Sequence, residues 1–293
     1  MIRYYSIAGH IIKLTADSSC GVWSSCANYT PFEVPFKEGT DCLCELDIAD
    51  ELAVPPFTEV IDVKTPDFPR LRIGRSVEGW VLETAPEPGL PIVARLTADK
   101  NFSHARMRIL DDGEKMVRFA VDNAFMIMFA ISSSTAGTLE IHSSVTVCDG
   151  RAYAFLGKSG TGKSTHSRLW RQYIPGSTLL NDDNPIIRAE DGSVRIYGSP
   201  WSGKTPCYKS ESYPLAAIVR LRQAPENRIR RLGAVEAYAS LFPSCSAFRE
   251  VSGSADGIHS TLAEVIGKVP VYQLDCLPDK EAAELCHSTV SGL

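Results

Sequence analysis

Residues 157–164 have the sequence Gly-Lys-Ser-Gly-Thr-Gly-Lys-Ser, a complete G-x-x-x-x-G-K-[ST] pattern. In such a turn the glycines let backbone N–H groups point inward at phosphate oxygens. Lys163 then reaches the β- and γ-phosphates, and the Ser164 hydroxyl helps to hold a magnesium ion. The predicted nucleotide-binding residues are Gly157, Lys158, Ser159, Gly160, Thr161, Gly162, Lys163, Ser164 and Thr165.

A phosphate-binding loop of this pattern follows a strand and precedes a helix, and the flanking segments predict both. Residues 152–156 are a short apolar run that predicts a buried strand. Residues 165–173 have helical spacing and are followed by Pro175-Gly176, which ends a helix. The alternative, an incidental glycine turn, does not require a strand before it and a helix after it. The sequence therefore predicts a nucleoside triphosphate site.

Two acidic residues form the second candidate group. Asp182 and Asp183 follow an apolar segment and stand 19 and 20 residues after Lys163. Ligands of α/β proteins bind at the carboxyl ends of the strands, so we expect both acids beside the loop. One aspartate would bind the metal directly or through water, and the other would accept a hydroxyl proton. The alternative is a solvated Asp-Asp pair at the end of a strand.

His142 is the third candidate. It lies in the segment Glu-Ile-His-Ser-Ser, on the strand that precedes the strand of the loop. A single histidine on a strand is more often a structural residue than a functional one. Its position in a hairpin that leads into the phosphate loop makes it a candidate site residue.

The elements that must position these residues change in character along the chain. Up to about residue 100, short alternating apolar segments broken by prolines predict strands and turns. Residues 107–110 and 116–119, on either side of an Asp-Gly pair, predict a hairpin. Residues 121–132 predict a helix. After residue 138 strands and helices alternate, which is the signature of an α/β fold.

This change in pattern predicts two domains. We expect a strand-rich amino-terminal domain of unknown role over residues 1–120 and a nucleotide-binding domain over residues 121–293. The boundary lies between residues 100 and 137, and the sequence does not decide which domain contains the helix predicted at 121–132.

Composition limits the class of protein. Apolar residues make up 44% of the chain and charged residues 22%, which is ordinary for a globular protein. The formal charge of −5, with no lysine- or arginine-rich run, argues against nucleic acid as a partner. The longest apolar stretch, residues 124–131, is too short to span a bilayer. The first residues lack the apolar core of a signal peptide. We expect a cytoplasmic protein without a membrane span.

The nine cysteines are scattered and odd in number. Cys42 and Cys44 form a C-x-C pair, which is not the C-x-x-C spacing of zinc or redox sites. Cys20 and Cys26 precede them, so a four-cysteine metal site is the alternative. Reduced, mostly buried thiols are the favoured interpretation.

The three candidate groups together resemble the superfamily of HPr kinase/phosphorylase and phosphoenolpyruvate carboxykinase. HPr kinases carry a histidine, then a Gly-x-Ser-Gly-x-Gly-Lys-Ser loop at the spacing found here, then an Asp-Asp pair. Carboxykinases carry His-Cys-Ser, a Ser-Gly-Thr-Gly-Lys-Thr-Thr loop and Gly-Asp-Asp. The resemblance is specific over about residues 138–203. It implies an α/β fold of the P-loop-containing, carboxykinase/HPr-kinase-like type with a mixed sheet.

The resemblance also implies roles. Lys163 would contact the transferred phosphate, Ser164 and Asp182 would hold the metal, Asp183 would be the catalytic base, and His142 would lie at the phosphates or the metal. Residues 195–204 resemble the glycine-containing loop that follows the acids in HPr-kinase-related proteins. Its candidate substrate-binding residues are Ser202, Gly203 and Lys204, and a proline-anchored turn is the alternative.

Two departures bear on the acceptor. HPr kinases have glutamate where this chain has Thr165, and their Glu-Ile-Arg-Gly segment is Arg-Ile-Tyr-Gly at residues 195–198 here. Both argue against HPr itself as the phosphate acceptor.

The sequence thus predicts an ATP- and Mg²⁺-dependent kinase acting on a serine hydroxyl of a protein, peptide or small molecule. The alternatives are an ATP-binding regulatory protein without catalysis and a carboxykinase-type lyase. The phosphate loop does not specify the nucleobase, so another nucleotide or pyrophosphate stays open as the donor. A homo-oligomeric state is also left open.

Overall fold

The computed structural model of this chain describes residues 1–56, 59–63, 70–203, 205–246, 248, 251 and 253–292. Two compact units divide the chain, Met1–Ser133 and Ser134–Leu293. The division falls after the boundary predicted at residue 120, and the helix predicted at 121–132 belongs to the first unit. Each unit contains a large mixed sheet, so the chain has a mixed α/β fold.

The first unit is strand-rich, as its sequence predicts. Its strands are β1 (Ile2–Ile7), β2 (His10–Thr15), β3 (Glu33–Val34), β4 (Cys44–Ile48), β5 (Glu59–Val63), β6 (Arg70–Arg75), β7 (Trp80–Ala85), β8 (Ala94–Ala98) and β9 (His104–Ile109). They form one sheet in the order β3-β1-β2-β4-β9-β8-β7-β6-β5. Its helices are α1 (Val22–Ser25), a 3-10 turn (Ala27–Phe32) and α2 (Glu114–Ser133).

The prediction of a hairpin from residues 107–110 and 116–119 is wrong. The strand β9 ends at Ile109 and α2 begins at Glu114, so the second half of that segment is helical. The buried positions Val117, Val121 and Ala124 follow helical spacing, and this longer-range pattern overrides the local apolar alternation.

By length and composition alone, α2 meets the criterion for a membrane-spanning helix, and 56% of its apolar window is buried inside the protein. The helix packs against α1 and β4. It also carries Asp122, whose carboxylate accepts a hydrogen bond from Asn28 Nδ2 at 3.0 Å. These contacts are typical of the core helix of a folded unit.

The second unit contains the three candidate groups. Its strands are β10 (Thr138–Glu140), β11 (Ser143–Cys148), β12 (Arg151–Leu156), β13 (Thr178–Asp183), β14 (Ile186–Glu190), β15 (Ser193–Tyr197), β16 (Ser212–Gln223), β17 (Arg228–Arg231) and β18 (Val271–Cys276). Its helices are α3 (Lys163–Tyr173), α4 (Ala234–Leu241), a 3-10 turn (Phe242–Ser244), α5 (Ser254–Lys268) and α6 (Lys280–Val290).

The sheet of this unit runs in the order β10-β14-β15-β16-β12-β11-β13, and β18 pairs with β16 and β17. The pairs β12–β16 and β16–β18 are parallel, and the other pairs are antiparallel. The strands β11 to β13 and the helix α3 confirm the alternation predicted after residue 138.

Side chains alternate between two hydrophobic clusters on the two faces of this sheet. Tyr153 and Phe155 of β12 pack in the cluster that contains Trp170 of α3 and residues of α6. Ala154 and Leu156 point the other way, into the cluster that contains residues of α4 and α5. We call these the α3 face and the α4 face.

Candidate active site

The predicted phosphate loop connects β12 to α3. Gly162 precedes the helix in a left-handed conformation, with φ of 109°. A side chain at Gly157 would place its Cβ 3.0 Å from Thr161 Cβ, which is closer than side chains normally approach. Both glycines are therefore required by the shape of the turn.

Lys163 is the first residue of α3, and its side chain folds back over the loop. Its Nζ donates a hydrogen bond to the carbonyl oxygen of Gly157 at 2.9 Å. The loop is also closed by the Thr161 N–H, which donates to the Lys158 carbonyl at 3.1 Å. The ammonium and the amino-terminal end of α3 thus share one turn, a favourable arrangement for binding phosphate.

The strand that carries the two aspartates does not adjoin the strand of the loop. Instead β11 lies between β13 and β12 and is antiparallel to both, so β12 and β13 run in the same direction and end at the same edge. Asp183 is paired with Ser143, and Ser143 with Leu156, the last residue before the loop. Neighbouring strands lie about 4.8 Å apart, which places the backbones of Asp183 and Leu156 about 10 Å apart.

The two aspartates belong to different rows of the sheet. Asp182 is in register with Ser144 and Phe155, which belong to the α3 face, where Ser144 Oγ and Ser167 Oγ of α3 are 2.6 Å apart. Asp182 is only 5% exposed. Within the described part of the chain, no group donates a hydrogen bond to its carboxylate. Carboxylate oxygens that accept no hydrogen bond from the protein are available to a cation.

Asp183 contacts the predicted histidine. His142 Nδ1 lies 2.9 Å from Asp183 Oδ1, and each side chain is 34% exposed. Asp183 also has a φ of 149°, a conformation that L-residues rarely adopt and that costs on the order of 1–3 kcal/mol. Strain of this kind is often found at functional sites.

The segment after β15 packs against the two acids. The Gly203 N–H donates to the carbonyl oxygen of Asp182 at 2.7 Å, and Ser202 Oγ lies 3.3 Å from the same oxygen. A Cβ at Gly203 would lie 3.3 Å from Asp183 Cβ and Cγ. Of the two described residues predicted to bind substrate, Gly203 uses its N–H to hold the acid strand, and the Ser202 hydroxyl donates more closely to the Thr205 carbonyl oxygen, at 2.6 Å. Lys204, the third predicted substrate residue, lies outside the described residues.

Sequence reasoning missed the residue that fastens this segment. Asn181 is completely buried, and its Nδ2 donates to Ser199 Oγ at 3.2 Å and to the Trp201 carbonyl at 3.1 Å. Its Oδ1 accepts from the Asn184 N–H at 3.1 Å. The amide thus fixes the backbone on both sides of Asp182 and Asp183. The sequence feature that could have indicated this role is an amide side chain directly after the apolar residues Leu179 and Leu180 of β13.

Glu140 was also missed. The residue is 3% exposed, its Oε1 accepts a hydrogen bond from Ser246 Oγ at 3.0 Å, and its Oε2 is buried without a partner. Burial raises the pKa of this carboxyl to about 8, and the negative charge of Asp183 acts in the same direction. Glu140 is therefore largely neutral at pH 7.

This raised pKa makes stability depend on pH. In the unfolded chain Glu140 ionises near its ordinary pKa of 4.5, whereas in the folded protein it keeps its proton up to about pH 8. Its contribution to the free energy of unfolding is complete at low pH and is lost between these values, by up to about 1.4 kcal/mol per pH unit. We expect Glu140→Gln to gain stability relative to the wild type as the pH rises.

Urea unfolding of both proteins between about pH 5 and about pH 8 tests this expectation. A difference in unfolding free energy that stays constant over this interval would show that Glu140 is already ionised in the folded protein.

The donors at this edge suit magnesium better than a transition metal. The Ser164 hydroxyl and the Asp182 carboxylate are hard oxygen ligands, and Mg²⁺ typically takes one or two carboxylates together with waters and phosphate oxygens. All nine cysteines are free. In the described ranges, no group of three or more His, Cys, Asp or Glu side chains could hold a metal ion, so the four-cysteine alternative is not formed.

No protein-family model and no curated protein matches this chain. Among solved structures, it is similar to the Hpr(Ser) kinase/phosphatase from Coxiella burnetii, with 12% identity over 52% of this chain and 94% of that one, and a TM-score of 0.32. A TM-score this low establishes neither a shared fold nor a shared activity.

Proposed function

We propose that this chain is an ATP- and Mg²⁺-dependent kinase that resembles HPr kinase and transfers phosphate to a serine hydroxyl of a protein, peptide or small molecule. The proposal includes a P-loop fold of the carboxykinase/HPr-kinase-like type for the second unit. The observation that carries it is the register of β12, β11 and β13, which brings the phosphate loop and both aspartates to one edge of the sheet.

In this proposal the loop amides and Lys163 bind the phosphates, and Ser164 and Asp182 hold the magnesium ion. When bound, the ion neutralises charge that develops on the phosphate oxygens during transfer. Phosphoryl transfer needs little covalent chemistry from the protein, so positioning and charge are the main contributions of these residues.

Asp183 accepts the proton of the acceptor hydroxyl as its oxygen bonds to phosphorus and the bond from phosphorus to the leaving nucleotide oxygen breaks. His142 contacts one carboxylate oxygen, Oδ1, at 2.9 Å, and in this proposal Oδ2 accepts the proton. The buried Asn181 fixes the backbone beside Asp183 through its bonds to Trp201 and Asn184.

Incubation of the protein with γ-labelled ATP, Mg²⁺ and either a cell lysate or candidate hydroxyl compounds tests the proposal. We expect label to move to an acceptor in a Mg²⁺-dependent manner. ATP that binds with ordinary affinity but labels no acceptor would favour the non-catalytic regulatory protein. Release of carbon dioxide from oxaloacetate would favour the lyase.

A further inference from the structure

Arg220 shares a row of the sheet with the proposed base. Asp183 pairs with Ser143, Ser143 with Leu156, and Leu156 with Arg220 of β16. Residues in one row of a sheet point to the same face. Leu156 and Ile218, the residue two positions before Arg220, both belong to the cluster on the α4 face. Arg220 therefore lies on that face, at the same edge as the phosphate loop.

The surroundings of Arg220 also contact the proposed catalytic pair. Its Nη1 lies 3.5 Å from the carbonyl oxygen of Ser240 near the end of α4, which is a long hydrogen bond. The 3-10 turn that follows α4 ends at Ser244, whose carbonyl oxygen accepts from the His142 N–H at 2.6 Å. The segment from Ser240 to Ser244 thus touches Arg220 at one end and His142 at the other.

Among the described residues, two nearby arginines, Arg222 and Arg230, are paired with carboxylates, and Arg220 is not. Arg222, two residues further along β16, bonds to Asp275 at 2.8 Å, and Arg230 bonds to Glu236 at 2.8 Å. Over the ranges that the structure describes, no carboxylate pairs with Arg220. A half-buried guanidinium with one long hydrogen bond has donors left for an anion.

We infer that Arg220 binds an anionic group of the phosphate acceptor, so that the acceptor is a small hydroxy acid such as free serine. The inference rests on the proposed kinase function. Three strand spacings, about 14 Å, separate the backbones of Asp183 and Arg220, and both side chains project from the same face of the sheet. A serine within a protein chain has amide groups where the free amino acid has its carboxylate, so it offers Arg220 no charge.

The test compares L-serine, L-serinamide and N-acetyl-L-serinamide as acceptors of label from γ-labelled ATP, beside the protein fraction of a lysate. We expect the wild type to favour L-serine over both amides by about 10- to 100-fold in kcat/KM. A hydrogen bond to a charged group contributes a free energy that corresponds to about this ratio. Arg220→Met should lose that preference through a higher KM for serine, with the KM for ATP unchanged.

Arg222→Met is the matched control, since it removes an arginine on the same strand that is already paired, and it should behave like the wild type. If Arg220→Met does not fold, Arg220→Gln gives the same comparison, because it removes the charge and keeps a polar side chain. Equal use of serine and serinamide by the wild type would overturn the inference. Labelling of lysate proteins alone would overturn it and leave the kinase standing, and labelling of nothing would overturn both.

Discussion

Replacement of Lys163 by methionine is expected to lower the rate of phosphoryl transfer by a factor on the order of 10² to 10³. The ammonium lies at the loop, where it donates a hydrogen bond to the Gly157 carbonyl, and in the proposed mechanism it stabilises charge on the phosphates as the reaction proceeds. Methionine has a similar length and no charge, so the substitution retains the volume of the side chain and removes its positive charge. Steady-state turnover of ATP with saturating acceptor measures the effect.

The control is Arg168→Met, which removes an exposed cation from the same helix. It should change turnover by less than about twofold, since surface substitutions away from a site have small effects. A Lys163→Met protein that is folded and turns over ATP at the wild-type rate would show that the loop does not bind the transferred phosphate.

Asp183→Asn is expected to reduce kcat by a factor on the order of 10² to 10⁴, because a general base contributes that much to a proton transfer. The amide preserves the size of the side chain and cannot accept the hydroxyl proton. ATP affinity should change little, since the backbone of Asp183 is about 10 Å from the start of the loop and its proposed role is toward the acceptor. Rapid-quench kinetics and nucleotide titration of the same protein separate the two effects.

The matched control is Asp191→Asn, at another aspartate with positive φ, located in the turn between β14 and β15. Asparagine tolerates such a conformation, so this variant should be active. Full turnover by Asp183→Asn would remove the base from the proposed mechanism. A simultaneous loss of ATP binding would assign Asp183 to the nucleotide instead.

The phosphate loop and its flanking strand and helix could be predicted from sequence because their determinants are local. The glycines, the lysine and the serine act within one turn, and the buried strand before it is a continuous apolar run. The helix α2 shows why a short window can mislead. Residues 116–119 alone resemble a strand, whereas the spacing of Val117, Val121 and Ala124 over a longer range is helical.

The pairing of strands could not be predicted in the same way. The sequence suggested that the acids lie beside the loop, but nothing local shows that β11 intervenes between β12 and β13. Arg220 and Glu140 reach this edge of the sheet through pairings between distant segments, and neither belongs to a motif that the sequence could reveal. Asp183 and His142 also meet through the fold, and their 2.9 Å contact goes beyond what motif spacing predicts.

The most direct test of the central claim is a crystal structure with Mg²⁺ and a non-hydrolysable ATP analogue. We expect the phosphates to lie in the loop at residues 157–164. A metal ion should be bound by Ser164 and Asp182 at about 2.1 Å, and Asp183 Oδ2 should face the terminal phosphate from the acceptor side. A nucleotide bound elsewhere, or a metal ion bound without Asp182 while Asp183 points away from the phosphates, would contradict the account.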